Sequence, residues 1–212
     1  LPSGIPDIQG LRVYVAPEEG KRYGIGADPA EGLQRGDDSY LNIVDSVSFE
    51  QVAVVQGKIP PELLADMAAD LSVFYSGAPV LFELNNHGGL FLSQARKRGI
   101  TLVMGLTRKG DKDRKPGWFT SQSSKHTLYN GGESAMRLVM EETRDADGIL
   151  HPEQSRAIFH DPVTAQQLSS IVNIDQKIEA PEGMHDDAAM SWVLAVRSVY
   201  SGGSGMETIH HT

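Results

Sequence analysis

The stretch PVLFELN, Pro79–Asn85, is a continuous apolar run broken by one carboxylate. Such a run suits a strand covered on both faces, as in a layered α/β sheet, and not a strand with one wet face. Strand alternation puts Leu81, Glu83 and Asn85 on one side and Phe82 and Leu84 on the other. Glu83 is therefore expected in the interior, where an unpaired carboxylate costs several kcal/mol. It has to be paired, protonated or bound to a cation, and no Lys or Arg follows it before Arg96. An exposed edge strand is the alternative.

The flanking sequence supplies the other layers. Three β-like stretches precede this run, Tyr23–Asp28, Tyr40–Val47 and Gln51–Lys58, the last two joined as a hairpin by two residues near Phe49–Glu50. Pro60 and Pro61 open a helix running to Tyr75, with Leu63, Leu64, Met67, Leu71 and Phe74 at helical spacing. After the run come a helix over Leu90–Arg98, closed by Gly99, and a strand over Thr101–Gly105. A poorer helix is expected over Ser121–Glu142, with Gly131 and Gly132 inside it, then a short hairpin or strand pairs over Asp145–Lys177 and a last helix over Met190–Tyr200. The order predicts an α/β fold with a mixed central sheet, an antiparallel three-strand meander plus parallel strands, flanked by helices. Residues 1–20, with a short strand over Leu11–Val15, read as a lead-in, 21–200 as the domain and 201–212 as a flexible tail.

At 212 residues the chain suits one domain with a substantial core. It has no cysteine, which excludes disulfides, thiolate metal cages and a cysteine nucleophile. No apolar run reaches 18 residues, so no membrane partner is expected. The net charge of −9 argues against nucleic acid at first sight. Its distribution softens that. Arg96, Lys97, Arg98, Arg108, Lys109, Lys112, Arg114 and Lys115 stand against only Asp111 and Asp113, making a phosphate-binding stripe or simply a solvated surface.

Three acidic positions carry the chemistry. Asp28 closes a strand whose same-face neighbours are Gly24 and Gly26, and glycines there often mark close approach of a ligand or another backbone. Glu83 is the second. The third is Asp186–Asp187, two like charges at the mouth of the apolar segment AAMSWVLAV. Helix capping accounts for one aspartate, contributing about 0.5–2 kcal/mol, and leaves the second needing a counter-charge. An Asp ending the first long strand, a Glu after the first helix and an Asp opening the last helix form an oxygen-only set that suits Mg²⁺ or Mn²⁺. Such carboxylates can hold two divalent cations roughly 4 Å apart, one activating water and the other steadying the leaving oxygen of a phosphodiester.

These residues resemble the C-terminal nuclease domain of the large terminase subunit of tailed bacteriophages, over nearly the whole chain. The resemblance rests on RYGIGADPAEG (Arg22–Gly32) with Asp37-Asp38-Ser39 behind it, VLFELNNHG (Val80–Gly88), GWFTSQSSK (Gly117–Lys125) and KIEAPEGMHDDAAMSWVLA (Lys177–Ala195). It implies a ribonuclease H-like fold and a two-metal endonuclease that cuts concatemeric double-stranded viral DNA with little sequence preference during packaging. Asp28, Glu83 and Asp187 correspond to the catalytic, metal-binding triad, with Asp186 an auxiliary ligand and Asp187 favoured as the bridging one. The implied partners are double-stranded DNA, the terminase ATPase domain, the small terminase subunit and the portal protein, in the host cytoplasm during phage assembly.

Asn85, Asn86, His87, His185 and Lys177 are candidates for orienting these ligands or touching phosphate, and Arg108, Lys109, Lys112, Arg114 and Lys115 for contacting DNA. The simpler readings are turns, caps and surface. No GxxxxGK[ST] phosphate loop is present and the chain opens on Leu1, so it is expected to be the nuclease half of a longer protein. The rival readings are a Holliday-junction resolvase or strand-transfer enzyme on the same fold, and a non-catalytic docking module for DNA or portal.

Overall fold

The computed structural model describes residues 4–105, 115–142, 146–149, 157–174 and 177–200. A five-stranded mixed sheet forms its centre: β1 (Leu11–Val13), β4 (Gln51–Gly57), β3 (Ser39–Asp45), β2 (Tyr23–Asp28) and β5 (Val80–Phe82), in that spatial order. The first four run antiparallel to their neighbours, and β5 lies parallel to β2. Leu11–Val13, in the stretch read as a lead-in, is the edge strand beside β4.

Alternation along β2 and β5 sorts two cores. Ile25, Ala27, Val80 and Phe82 pack beneath α1 (Pro61–Phe74) and α2 (Gly88–Arg98) with Leu64, Leu71 and Phe91. The opposite face lies beneath α5 (Asp187–Tyr200) and α3 (Gln122–Glu142), where Leu81, Trp118, Leu128, Trp192 and Val193 are buried. Glycines at 24 and 26 let α5 settle directly on β2. A Cβ at Gly26 would stand 1.9 Å from the Ser191 carbonyl oxygen, and one at Gly24 would stand 2.2 Å from Ser198 Oγ. The close approach expected at these glycines is that of another backbone. Gly132 does the same for α3, because a Cβ there would meet Val193 Cγ1 at 2.9 Å. The two glycines that weaken α3 as a sequence thus sit in a continuous helix, one of them at its contact with α5.

Several boundaries differ from expectation. The β3–β4 connection spans residues 46–50, not two residues: the Asp45 carboxylate accepts from Val47 N and Ser48 N, and Phe49 takes φ 55°. Strand β5 is only three residues long, though its ladder continues through Glu83 N to Ala27 O at 3.0 Å and Leu84 N to Trp118 O at 2.8 Å. The Thr101–Gly105 stretch splits into an isolated bridge at Leu102 and β6 (Met104–Gly105), paired with β7 (Lys115–Pro116). Between 145 and 177 lies an unexpected helix, α4 (Pro162–Ser170), ahead of the hairpin β8 (Val172–Ile174) and β9 (Lys177–Glu179). Its start is capped by Asp161, whose carboxylate accepts from Thr164 N at 2.9 Å, with proline in its first turn. Among the described residues no helix is long and apolar enough to cross a membrane.

Candidate metal centre

Parallel pairing of β2 with β5 decides where two of the acids stand. The register Gly26–Leu81 and Ala27–Phe82 carries on to Asp28 beside Glu83, both on the face beneath α5, near enough for each carboxyl group to act on the other. Helix α5 begins above them and brings Asp187. Asp28, Glu83, Asp186 and Asp187 line one cleft of about 340 Å³, together with Glu31, Asp37, Asp38, Asn85, His87, Thr120 and Lys125.

At the start of α5, capping does not fall to the two aspartates. A buried side chain from α4 takes the helix's first N–H groups: Gln167 Oε1 accepts from Ala188 N at 2.8 Å and from Ala189 N at 3.1 Å. This lets the helix begin at Asp187, three residues before the expected Met190, and leaves capping to an amide. Beneath it, Asn42 Nδ2 donates to Ala188 O and Ser191 Oγ, and Gln51 Nε2 donates to Asn42 Oδ1 and Thr164 Oγ1. These polar groups are buried and tie β3, β4, α4 and α5 into one block.

Electrostatics in the cleft are one-sided. Burial pushes the Asp28 carboxyl well above the usual carboxylate range, and the charges of Glu83, Asp187 and Asp186 push it further. Asp187 is raised to about 6 by burial, then by the charges of Asp37 and Asp186, with His185 opposing. No lysine or arginine among the described residues pairs with Asp28, Glu83 or Asp187. Asp186 differs: Lys125 Nζ lies 2.5 Å from its Oδ2, and the Tyr129 hydroxyl donates to the same oxygen at 3.4 Å.

The neighbouring DDS triplet has three separate roles. His185 Nδ1 stands 3.2 Å from Asp37 Oδ1, and Asp37, His185 and Asp187 offer ligand atoms within 4.8 Å of one another. Asp38 is ion-paired with Lys58 at 2.6 Å and accepts from Gln56. Burial opposes ionisation of Asp38, yet the hydrogen bonds and charge from these partners bring it below the usual range. Ser39 Oγ accepts from Ala30 N and donates to Ile59 O, closing the loop that follows Asp28.

The secondary candidates separate. Asn85 clamps Thr120, donating to its carbonyl at 2.7 Å and accepting from its N–H at 2.8 Å, so it is a brace at the cleft wall. His87 lies 3.7 Å from Glu31 and lines the cleft, as Asn86 does. Lys177 and Lys115 are exposed at the starts of β9 and β7 and do not line the cleft. Arg108, Lys109, Lys112 and Arg114 lie outside the described residues. Arg98, counted with the basic stripe, instead bridges α2 to α1 through Asp66 at 3.0 Å and Asp70 at 2.6 Å. Sequence reading passed over Lys125, though it ends the GWFTSQSSK motif, and gave Asp37 no role despite its place behind Asp28.

No family model matches the chain. Solved structures do. The large terminase nuclease from thermophilic phage G20c with bound magnesium superposes with a TM-score of 0.63 at 18% identity, covering 91% of this chain and 89% of that one. The Thermus phage P74-26 large terminase nuclease domain gives 0.59 at 19% identity, over 95% and 92%. A variant of the large terminase subunit from bacteriophage Sf6, with calcium, gives 0.52 at 12% identity, over 85% and 89%. The chain has the fold of these nuclease domains, the ribonuclease H-like mixed sheet expected from its motifs.

Proposed function

We propose that this chain is the nuclease domain of a phage large terminase, a divalent-metal-dependent endonuclease acting on double-stranded DNA during genome packaging. One observation carries the reading: Asp28, Glu83 and Asp187, from elements far apart in sequence, line one cleft without a basic partner among the described residues. The donor set fits hard cations. Its ligands are mainly carboxylate oxygens, the α5 N–H groups that would compete for them are satisfied by Gln167, and Asp28 is driven toward protonation when no counter-charge is near. The solved terminase nucleases with bound magnesium or cobalt support the same assignment.

Asp28, Glu83 and Asp187 would hold Mg²⁺ or Mn²⁺, with Asp37 and His185 beside Asp187. When bound, two such ions supply an activated water and a stabilised leaving 3′-oxygen. The protein's part is to fix the carboxylates in place, Asp28 and Glu83 by strand register and Asp187 by the helix seated on Gly26. Cation charge also offers an acidic protein a way to accept a polyanion, since the phosphate meets it where the negative charge is locally cancelled. In this reading the ATPase domain, small subunit and portal are partners in the packaging motor, within the infected host's cytoplasm.

Plasmid nicking with Mn²⁺ tests the reading. The wild type should cut, and Asp28→Asn, Glu83→Gln and Asp187→Asn should each lose cleavage while remaining folded. Equal nicking by wild type and Asp28→Asn would reject the assigned centre.

A further inference from the structure

The cleft contains one lysine and no arginine among the described residues that line it, set against seven carboxylates. That lysine stands in the first turn of α3, where the helix macrodipole disfavours a cation, so helix stability does not account for it. Its backbone is braced from the catalytic strand: Asn85, two residues beyond Glu83, holds Thr120 by a reciprocal pair of hydrogen bonds, and Lys125 N donates to Ser121 O at 2.8 Å. Its ammonium is held by Asp186 and lies 5.9 Å from the centre of the Tyr129 ring. An ammonium carries three donors, and Asp186 and Tyr129 together leave donors free to face the cleft.

On the nuclease reading, we propose that Lys125 is a catalytic residue that contacts a non-bridging oxygen of the scissile phosphate, and that Asp186 is its anchor and not a metal ligand. Two donors, Lys125 Nζ and the Tyr129 hydroxyl, converge on Asp186 Oδ2. Asp187 has no such partner among the described residues and faces Asp28 and Asp37. The adjacent aspartates therefore divide the work, one toward cations and one toward the lysine. Removing a fixed donor to charge developing in a transition state typically costs 10²–10³ in kcat.

The test is steady-state plasmid nicking at saturating Mn²⁺, paired with calorimetric Mn²⁺ binding in the absence of DNA, on Lys125→Ala, Lys125→Arg, Asp186→Asn and the Lys125→Ala/Asp186→Asn double variant. Lys125→Ala should lose roughly 10²-fold in kcat while binding Mn²⁺ at least as tightly as wild type, and Lys125→Arg should recover part of the loss. Asp186→Asn should add no further loss when combined with Lys125→Ala, the behaviour of two residues acting as one unit. Unchanged or higher kcat in Lys125→Ala would overturn the proposal. So would a double variant that loses a further tenfold in both kcat and Mn²⁺ affinity, because Asp186 would then be a ligand. Asp28→Asn separates the two levels: if it still cleaves, the nuclease assignment itself fails, whatever the Lys125 variants do.

Discussion

Gln167 on α4 accepts hydrogen bonds from the backbone N–H groups of Ala188 at 2.8 Å and Ala189 at 3.1 Å. A helix end that looked in sequence as though its own aspartates would cap it is capped from another helix. Replacing Gln167 by Leu leaves both buried donors unmatched. The expected cost is about 1–3 kcal/mol, read as a lower urea midpoint with an unchanged m-value. Cleavage should also weaken, since Asp187 is the residue before the capped pair.

Gly26→Ala puts a methyl group where the Ser191 carbonyl oxygen stands, and the backbone of Ala195 and Leu194 closes the other sides. Backbone atoms cannot swing away, so α5 must lift. We expect a loss of about 3 kcal/mol, at the upper end of ordinary overpacking. Gly24→Ala should cost less, because its nearest obstacles are the side chains of Ser198 and Val199. Thermal unfolding of the two variants side by side gives the comparison.

The metal-free protein should lose stability as pH rises from about 4 to beyond 6. Asp187 is ordinarily ionised above 3.8 but is raised to about 6 in the folded chain, and Asp28 is raised as well. Across that window the folded state keeps protons the unfolded chain has released, so raising the pH favours unfolding. Mn²⁺ should reverse the trend by binding the ionised carboxylates. Melting curves against pH in EDTA and in Mn²⁺ check both halves, and a metal-free protein that stabilises steadily from pH 4 to 7 contradicts the picture.

Arg98→Ala should leave DNA affinity unchanged and cost under about 1 kcal/mol. Its guanidinium is engaged with Asp66 and Asp70 between α1 and α2, in the last turn of a helix whose N-cap residue, His87, lines the cleft about 16 Å away. A fluorescence-anisotropy titration with duplex DNA that weakened several-fold would restore the basic-stripe reading for this residue.

The sheet was legible where side-chain period spoke clearly. Tyr23–Asp28 and the α1 helix emerged at nearly their observed bounds because alternation, prolines and a bounding glycine all agree there. The acid set was legible because Glu83 interrupts an otherwise apolar run and Asp186–Asp187 opens one. Helix α4 was not, since PVTAQQLSS has little apolar periodicity and draws its order from Asp161 and from burying Thr164 and Gln167. Lys125 was not, because nothing local to a polar serine-rich turn announces that its partner lies 61 positions onward at Asp186. Long-range polar pairing leaves no period to read.

The seating of α5 on Gly26 also bears on how such a centre tolerates mechanical load. With a backbone carbonyl pressed to the sheet, the spacing between Asp187 and the Asp28–Glu83 pair is set by van der Waals contact of main chains and not by the reach of loops. Force transmitted through the surrounding surface could bend those loops without stretching the carboxylate spacing. On the proposed reading, throttling of cleavage would then act on access of the polyanion or on the ions, because the helix end that carries Asp187 has little room to shift against β2.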